Sequence, residues 1–356
     1  MHGFQQTMKS RRAVMRGVMS TAALLATSPL KGAPEPSNWG PIADNVPSGT
    51  SLVVGGPTLL PMFRLSGELA KLHFKVEFTT ISGGPAVLDA FRANALDIGA
   101  GNDIPAIHET WLGFDVKIIA VTQRRNAPHP AQFGIAPGSN IHTLADLRGK
   151  KIAYSAGQAQ GSLVLRALNR YGIKKSEVQL IPLPSRNDVY VNALVAHLVD
   201  AAPIGGTVFA KHFVDQYGRD GAKLLAPDHV VENPGNLWAK AELLKDPAKA
   251  AAVKAYLKSF IRASLWVENH KEQWIDEYYI KNQGLSRADA EYVTANIGTL
   301  DILDHWDQAI RDEQDTINFM AAETGQKPFD AHRMFDRRFE TVAAQTLREV
   351  KNEYVR

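Results

Sequence analysis

The chain has 356 residues, 45% of them hydrophobic and 22% charged, a composition suited to a soluble globular protein of two or three lobes. It contains no cysteine, which excludes disulfides, thiolate nucleophiles, cysteine-ligated zinc and lipid attachment through an N-terminal cysteine. The formal charge of +3 conceals an asymmetry: residues 1–33 carry Lys9, Arg11, Arg12, Arg16 and Lys31 and no acid, so the remainder holds 35 basic against 37 acidic residues, a charge of −2. That balance removes the electrostatic footprint of a nucleic-acid binder.

At the N-terminus, Ser10-Arg11-Arg12-Ala13-Val14-Met15-Arg16 precedes an apolar run, residues 17–26, too short to span a bilayer. We read residues 1–33 as an export signal. The paired arginines resemble a twin-arginine signal, with an ordinary secretory signal or a basic tail as alternatives. Residues 34–48, rich in Pro, Ser and Gly, read as a flexible leader. No other segment reaches 18 consecutive apolar residues, so a soluble mature protein is expected.

From residue 51 the chain alternates between two periods. Residues 51–57 read as a strand ending in a turn, followed by a helix over 59–72. Lys75-Val76-Glu77-Phe78-Thr79-Thr80-Ile81 alternates as a second strand, and the turn Ser82-Gly83-Gly84-Pro85 opens a helix over 85–94 with proline where a missing N–H costs nothing. Leu96-Asp97-Ile98-Gly99-Ala100 is a third strand, after which Asn102-Asp103 and Pro105 open a helix over 104–112. Asp103 reads as its N-cap or as a polar group lining a cleft. Residues 116–121 close the set. Alternation of this kind predicts a largely parallel sheet with helices on both faces.

The polar stretch 123–132, with His129 between two prolines, reads as a crossing to a second lobe. There the same logic recurs: a short helix and strand over 143–154, a helix over 162–172, a strand over 177–183, a helix over 188–197, and a strand over 199–204 ending at Gly205-Gly206-Thr207. Near 224–236 the chain crosses back, and residues 247–352 read as mostly helical, with Trp266 and Trp274 as core positions. The expected fold class is α/β, a two-lobed clamshell: lobe 1 from 49–126 and 237–356, lobe 2 from 127–236.

Open α/β sheets bind ligands beyond the carboxyl ends of their strands, and two facing lobes turn those ends into one cleft. The small-residue turns leave backbone N–H groups accessible, which suits an anionic or polar ligand, although ordinary βα turns look the same. The candidate ligand contacts are therefore Thr58, Ser82, Gly83, Gly84, Asn102 and Asp103 in lobe 1, then Gln158, Gln160, Gly161 and Ser162 at a helix start in lobe 2. Gly205, Gly206 and Asn236 join them by position at strand ends. Arg186 either grips a sulfonate or carboxylate in bidentate fashion or is a solvated surface residue. The eleven histidines form no HExxH or similar ligand pattern, so no metal site is expected.

Four segments, in order and at family spacing, carry a resemblance: Val76-Glu77-Phe78-Thr79 through Gly84-Pro85; Leu96-Asp97-Ile98-Gly99 through Asp103-Ile104-Pro105; Leu144-Ala145-Asp146-Leu147-Arg148-Gly149-Lys150-Lys151-Ile152-Ala153; and Leu163-Val164-Leu165-Arg166-Ala167-Leu168. Over most of residues 50–345 the chain resembles the periplasmic solute-binding components of ABC importers, in the sulfonate/nitrate/taurine group. The resemblance implies a periplasmic-binding-protein type II clamshell that captures a small organic anion, a sulfonate or related organosulfur compound. It also implies a periplasmic monomer that needs no cofactor and docks on an inner-membrane permease served by a cytoplasmic ATPase, with no enzymatic activity. Where sulfonate binders usually place an aromatic residue and an Asp-Pro pair, this chain has Gly205-Gly206-Thr207, which implies a wider or differently polar pocket. An enzymatic alternative is a desulfinase similar to this family, but its Arg-Ser-Gly-Gly turn is Ile81-Ser82-Gly83-Gly84 here and no cysteine is present. A ligand-sensing protein on the same clamshell is a further alternative.

Overall fold

The computed structural model describes residues 39–128, 131–205, 208–227 and 234–354. The segment read as an export signal, part of the segment read as a leader, His129 and Gly206 lie outside these residues. Chain order begins with β1 (Ser51–Gly55), α1 (Leu59–Leu65), β2 (Lys75–Thr79), α2 (Gly84–Arg92), β3 (Ile98–Asn102), α3 (Asp103–Trp111) and β4 (Val116–Arg125). It continues with β5 (Ala131–Ile135), β6 (Lys151–Tyr154), α4 (Ala159–Arg170), β7 (Gln179–Pro182), α5 (Asn187–Val195), β8 (Ala201–Gly205), α6 (Val208–Tyr217) and β9 (Lys223–Leu225). Then come β10 (Gly235–Lys240), α7 (Ala241–Lys245), α8 (Pro247–Asn269), α9 (Lys271–Trp274), α10 (Arg287–Asn296), β11 (Thr299–Ile302), α11 (Asp307–Thr324) and α12 (Arg337–Tyr354).

These strands form two sheets, ordered β2-β1-β3-β10-β4-β11 and β7-β6-β8-β5-β9. In the first, β1 pairs in parallel with β2 and β3, as the βα alternation predicts. The returning strand β10 enters between β3 and β4 and runs antiparallel to both, so the sheet is mixed rather than largely parallel. The second sheet repeats this: β6 is parallel to β7 and β8, while β5 is antiparallel to β8 and β9. β5 and β10 each begin where the chain passes from one sheet to the other, and β11 adds a further antiparallel pairing with β4 at the edge.

Alternation sets the cores. Ile152 faces a cluster with Phe133, Ile135, Val164 and Leu168, while its neighbour Ala153 faces another with Tyr190, Leu194, Ile204 and Phe213. The first sheet carries a larger core in which Trp238, Phe63, Tyr256 and Trp306 are fully buried. The long helix α8 starts on Asp246, whose carboxylate accepts from the N–H of Ala248 at 2.8 Å, with Pro247 in the first turn. Leu165 of α4 packs into this first core, whereas Val164 and Leu168 of the same helix pack into the second. One helix therefore belongs to both lobes. Trp274 is buried as expected, and Trp266 packs partly buried on the first core. Among the described residues no helix is long and apolar enough to cross a membrane.

Candidate functional site

The start of α4 faces the turn between β2 and α2. Gly83 has φ +82°, a conformation that side chains disfavour, and Gly84 begins α2. The Gly84 N–H donates to Oε1 of Gln158 at 3.4 Å. A Cβ on Gly84 would lie 2.8 Å from Nε2 of Gln158 and 3.0 Å from the Gly157 carbonyl oxygen. Gly157 in turn lies against the ring of His108 on α3, which is half-buried and correspondingly harder to protonate than an ordinary histidine. The two sheets thus present one corner each, so close together that a Cβ on Gly84 would crowd both. Gln158 occupies the N-cap position of α4 and is 7% exposed, Gln160 is half-buried, and Gly161 and Ser162 are buried within its first turn.

The second corner lies at the β3–α3 junction. Asn102, not Asp103, occupies the N-cap position, and its side chain makes no capping hydrogen bond. Asp103 is fully buried in the first turn, its N–H donating to the Pro234 carbonyl at 3.2 Å. The N-cap reading of Asp103 is therefore off by one residue. Asn236, 3% exposed on β10, pairs through its backbone with Gly101, and neither atom of its amide has a hydrogen-bond partner among the described residues. Glu313 of α11 is also buried. Desolvation first, then the neighbouring Asp103, push its carboxyl well above the usual carboxylate range.

The remaining candidates differ in exposure. Thr58 is exposed at the start of α1, and Ser82 is exposed at the outer edge of its turn. Gly205 is half-buried at the end of β8, opposite Ala131. Arg186 points to the surface, where its guanidinium pairs with Asp188 at 2.7 Å, in line with the solvated reading.

A residue that sequence reasoning passed over is Arg166. It lines an interlobe cavity of about 380 Å³ together with Gln123, Pro234, Leu303, His305 and Thr316. Its Nη2 donates to Oγ1 of Thr316 at 2.8 Å, and its guanidinium lies 4.9 Å from the centre of the Phe319 ring. The signal was present: a single charge interrupts Leu163-Val164-Leu165-Arg166-Ala167-Leu168. Its partners, about 150 positions later on α11, carried none. Chemically, the site offers backbone N–H groups, amides and hydroxyls rather than a nucleophile with its base. Among the described residues no group of three or more His, Cys, Asp or Glu is placed to hold a metal ion.

Comparison with known proteins agrees with this architecture. A protein of Escherichia coli strain K12 named as an aliphatic sulfonates-binding protein is 26% identical over 204 residues, covering 56% of this chain. The match spans 60% of that relative's own length. Among solved structures, the periplasmic aliphatic sulphonate binding protein SsuA from E. coli superposes with a TM-score of 0.66 at 21% identity, covering 80% of this chain and 92% of SsuA. The desulfurization enzyme DSZB shares the fold more distantly, with a TM-score of 0.55 at 15% identity over 84% of this chain and 99% of that one. The NMT1/THI5 like family model matches residues 75–273, more than half of the sequence, and the chain belongs to that family.

Proposed function

We propose that this chain is an extracytoplasmic solute-binding protein that captures a small organic anion, a sulfonate or related organosulfur compound, and delivers it to an ABC importer. The observation that carries the reading is the meeting of two strand-to-helix corners from separate sheets, with the Gly84 N–H directed at Gln158 across the gap. Similarity to sulfonate-binding proteins supports the solute class. In this reading lobe 1 comprises 49–126 and 237–356, and lobe 2 comprises 127–236, except that the last residues of that span, Gly235 and Asn236, pair with β3 in the first sheet and so lie on the lobe 1 side. Solute enters the open cleft and meets Ser82, Gly83, Gly84, Asn102 and Asn236 on one side. On the other it meets Gln158, Gln160, Gly161, Ser162 and Gly205. The lobes then close by bending at the two crossings. Thr58 lies at the rim, and Arg186 would have to leave Asp188 to reach a solute.

The chain is exported to the periplasm, acts as a monomer without a cofactor, and docks in its closed form on a permease whose cytoplasmic ATPase drives release. A thermal-shift screen over alkanesulfonates, taurine, nitrate, sulfate esters and aromatic carboxylates tests this. A solute that binds only the folded state stabilises it by about 2.7 kcal/mol at one hundred times its Kd. No rise in melting temperature with any organosulfur anion would sink the solute assignment. A desulfinase reading draws on the likeness to DSZB. It lacks both the turn arginine and any cysteine, and product release from biphenyl-2-sulfinate would establish it instead.

A further inference from the structure

We infer that Arg166 is a positioning residue for capture: carried on α4 and seated on α11, it sets how far the two lobes close before any solute arrives. The inference rests on the two-lobed binding reading and adds a component that acts without ligand. Arg166 leaves the second lobe two turns beyond Gln158. Its Nε reaches back to Oγ of the fully buried Ser162 at 3.4 Å, and its Nη2 reaches forward to Thr316 at 2.8 Å. The same side chain therefore fixes the first turn of α4 and fastens that turn to the opposite lobe.

The seat on α11 is built for a cation. The Phe319 ring face lies 4.9 Å below the guanidinium, and the carboxylates of Asp103 and Asp315 are near enough to favour its charged form against burial. Asp103 is buried on α3, so when α4 swings away it loses a nearby countercharge. Closure restores it, which couples the lobe movement to the electrostatics of the cleft floor. Leu165, beside Arg166, packs into the first core and adds apolar contact to the same bridge. Farther along, Lys175 pairs with Glu323 at 3.6 Å, continuing the α4–α11 seam. Across the molecule, Lys211 and His212 of α6 each approach Asp289 of α10 at 3.1 Å. The two helices flanking β11 therefore hold the second lobe on both sides.

Small-angle X-ray scattering of the full, ligand-free chain tests the inference, with circular dichroism to verify folding. Arg166→Met should enlarge the radius of gyration. The closed-to-open ratio should fall about tenfold or more, the factor that a lost hydrogen bond from a charged donor carries. Arg166→Lys, which keeps the charge without the planar fork, should restore part of the closure. Thr316→Val, which removes the acceptor oxygen in a side chain of similar shape, should open the molecule less. A folded Arg166→Met protein with the wild-type radius overturns the proposal. If that variant does not fold, Thr316→Val decides: a wild-type radius there also overturns it. Raised radii with no thermal response of the wild type to any solute uphold the role of Arg166 and remove the solute-binding reading. Solute responses with unchanged radii do the reverse.

Discussion

Glu109 sits on α3 with 1% of its surface exposed. The Trp238 indole N–H donates to one carboxyl oxygen at 2.8 Å, while the other oxygen has no hydrogen-bond partner among the described residues. Burial pushes its pKa from the ordinary 4.5 up to about 8, partly offset by the indole. The folded chain thus keeps a proton that the unfolded chain releases. Below pH 4.5 both states are protonated and nothing changes. Between pH 4.5 and about 8 the native state loses about 1.4 kcal/mol per pH unit, because only the unfolded state gains from ionising. Glu109→Gln keeps an acceptor for Trp238 and removes the titration. Melting curves of variant and wild type should nearly coincide at pH 4.5 and separate toward pH 8, with the variant higher; parallel curves would mean that Glu109 does not titrate in this window. At the cleft itself, the glycine argument changes meaning. Gly84 spares room for Gln158 and the Gly157 carbonyl across the gap, not only for a solute. Gly84→Ala should hold the corners apart and weaken solute binding by about tenfold or more, while the melting temperature without solute moves only slightly. Titration calorimetry with the best solute from the screen measures this, and unchanged affinity would remove the turn from the site.

At the scale of elements, the start of α10 shows how a local signal acquires a long-range use. Ser286 and Asp289 cap the helix mutually, the Ser286 hydroxyl donating to the carboxylate at 2.8 Å and the Asp289 N–H returning to Ser286 at 3.1 Å. That bond first, then Lys211 and His212, lowers the Asp289 pKa from 3.8 to about 2. A lowered carboxylate pKa contributes stability above pH 3.8 that is lost as pH falls toward 2. Asp289→Asn should therefore cost about 1 kcal/mol at pH 7, the usual worth of such a cap, and converge with wild type near pH 2. Thermal melts at both pH values check the sign. Strands and helices up to Trp111 were legible because alternation and small-residue turns repeat locally, except that the helix expected over 59–72 ends at Leu65, where Gly67 turns the backbone to φ +76°. β4 extends to Arg125, beyond the expected end at residue 121, because its polar last residues pair with the edge strand β11. β11 itself is four residues inside a helical tail, too short to show a period. β10 was legible as a crossing but not as a central antiparallel strand, since its direction depends on where the chain has been. The Gly84–Gln158 apposition followed from the βα logic, whereas the α11 seat for Arg166 depends on a fold that joins positions 150 apart.

At the scale of the molecule, the two sheets do not melt independently if α4 belongs to both cores. Leu165 is the test residue, being 1% exposed, carried by the second lobe and packed in the core of the first. The tryptophans provide a reporter: Trp39, Trp111, Trp238, Trp266, Trp274 and Trp306 all lie outside residues 127–236, so their fluorescence follows the first sheet, while far-ultraviolet circular dichroism follows both. In the wild type, urea transitions by the two probes should coincide, as a single cooperative unit requires. Leu165→Ala removes buried contact at the shared helix, at a cost of about 2–5 kcal/mol. The loss falls on the coupling, because Val164 and Leu168 still hold α4 to the second core. The two transitions should then separate. Coincident curves that shift together would instead mean that the lobes are joined through the strand crossings alone, and that α4 is a passenger of the second lobe.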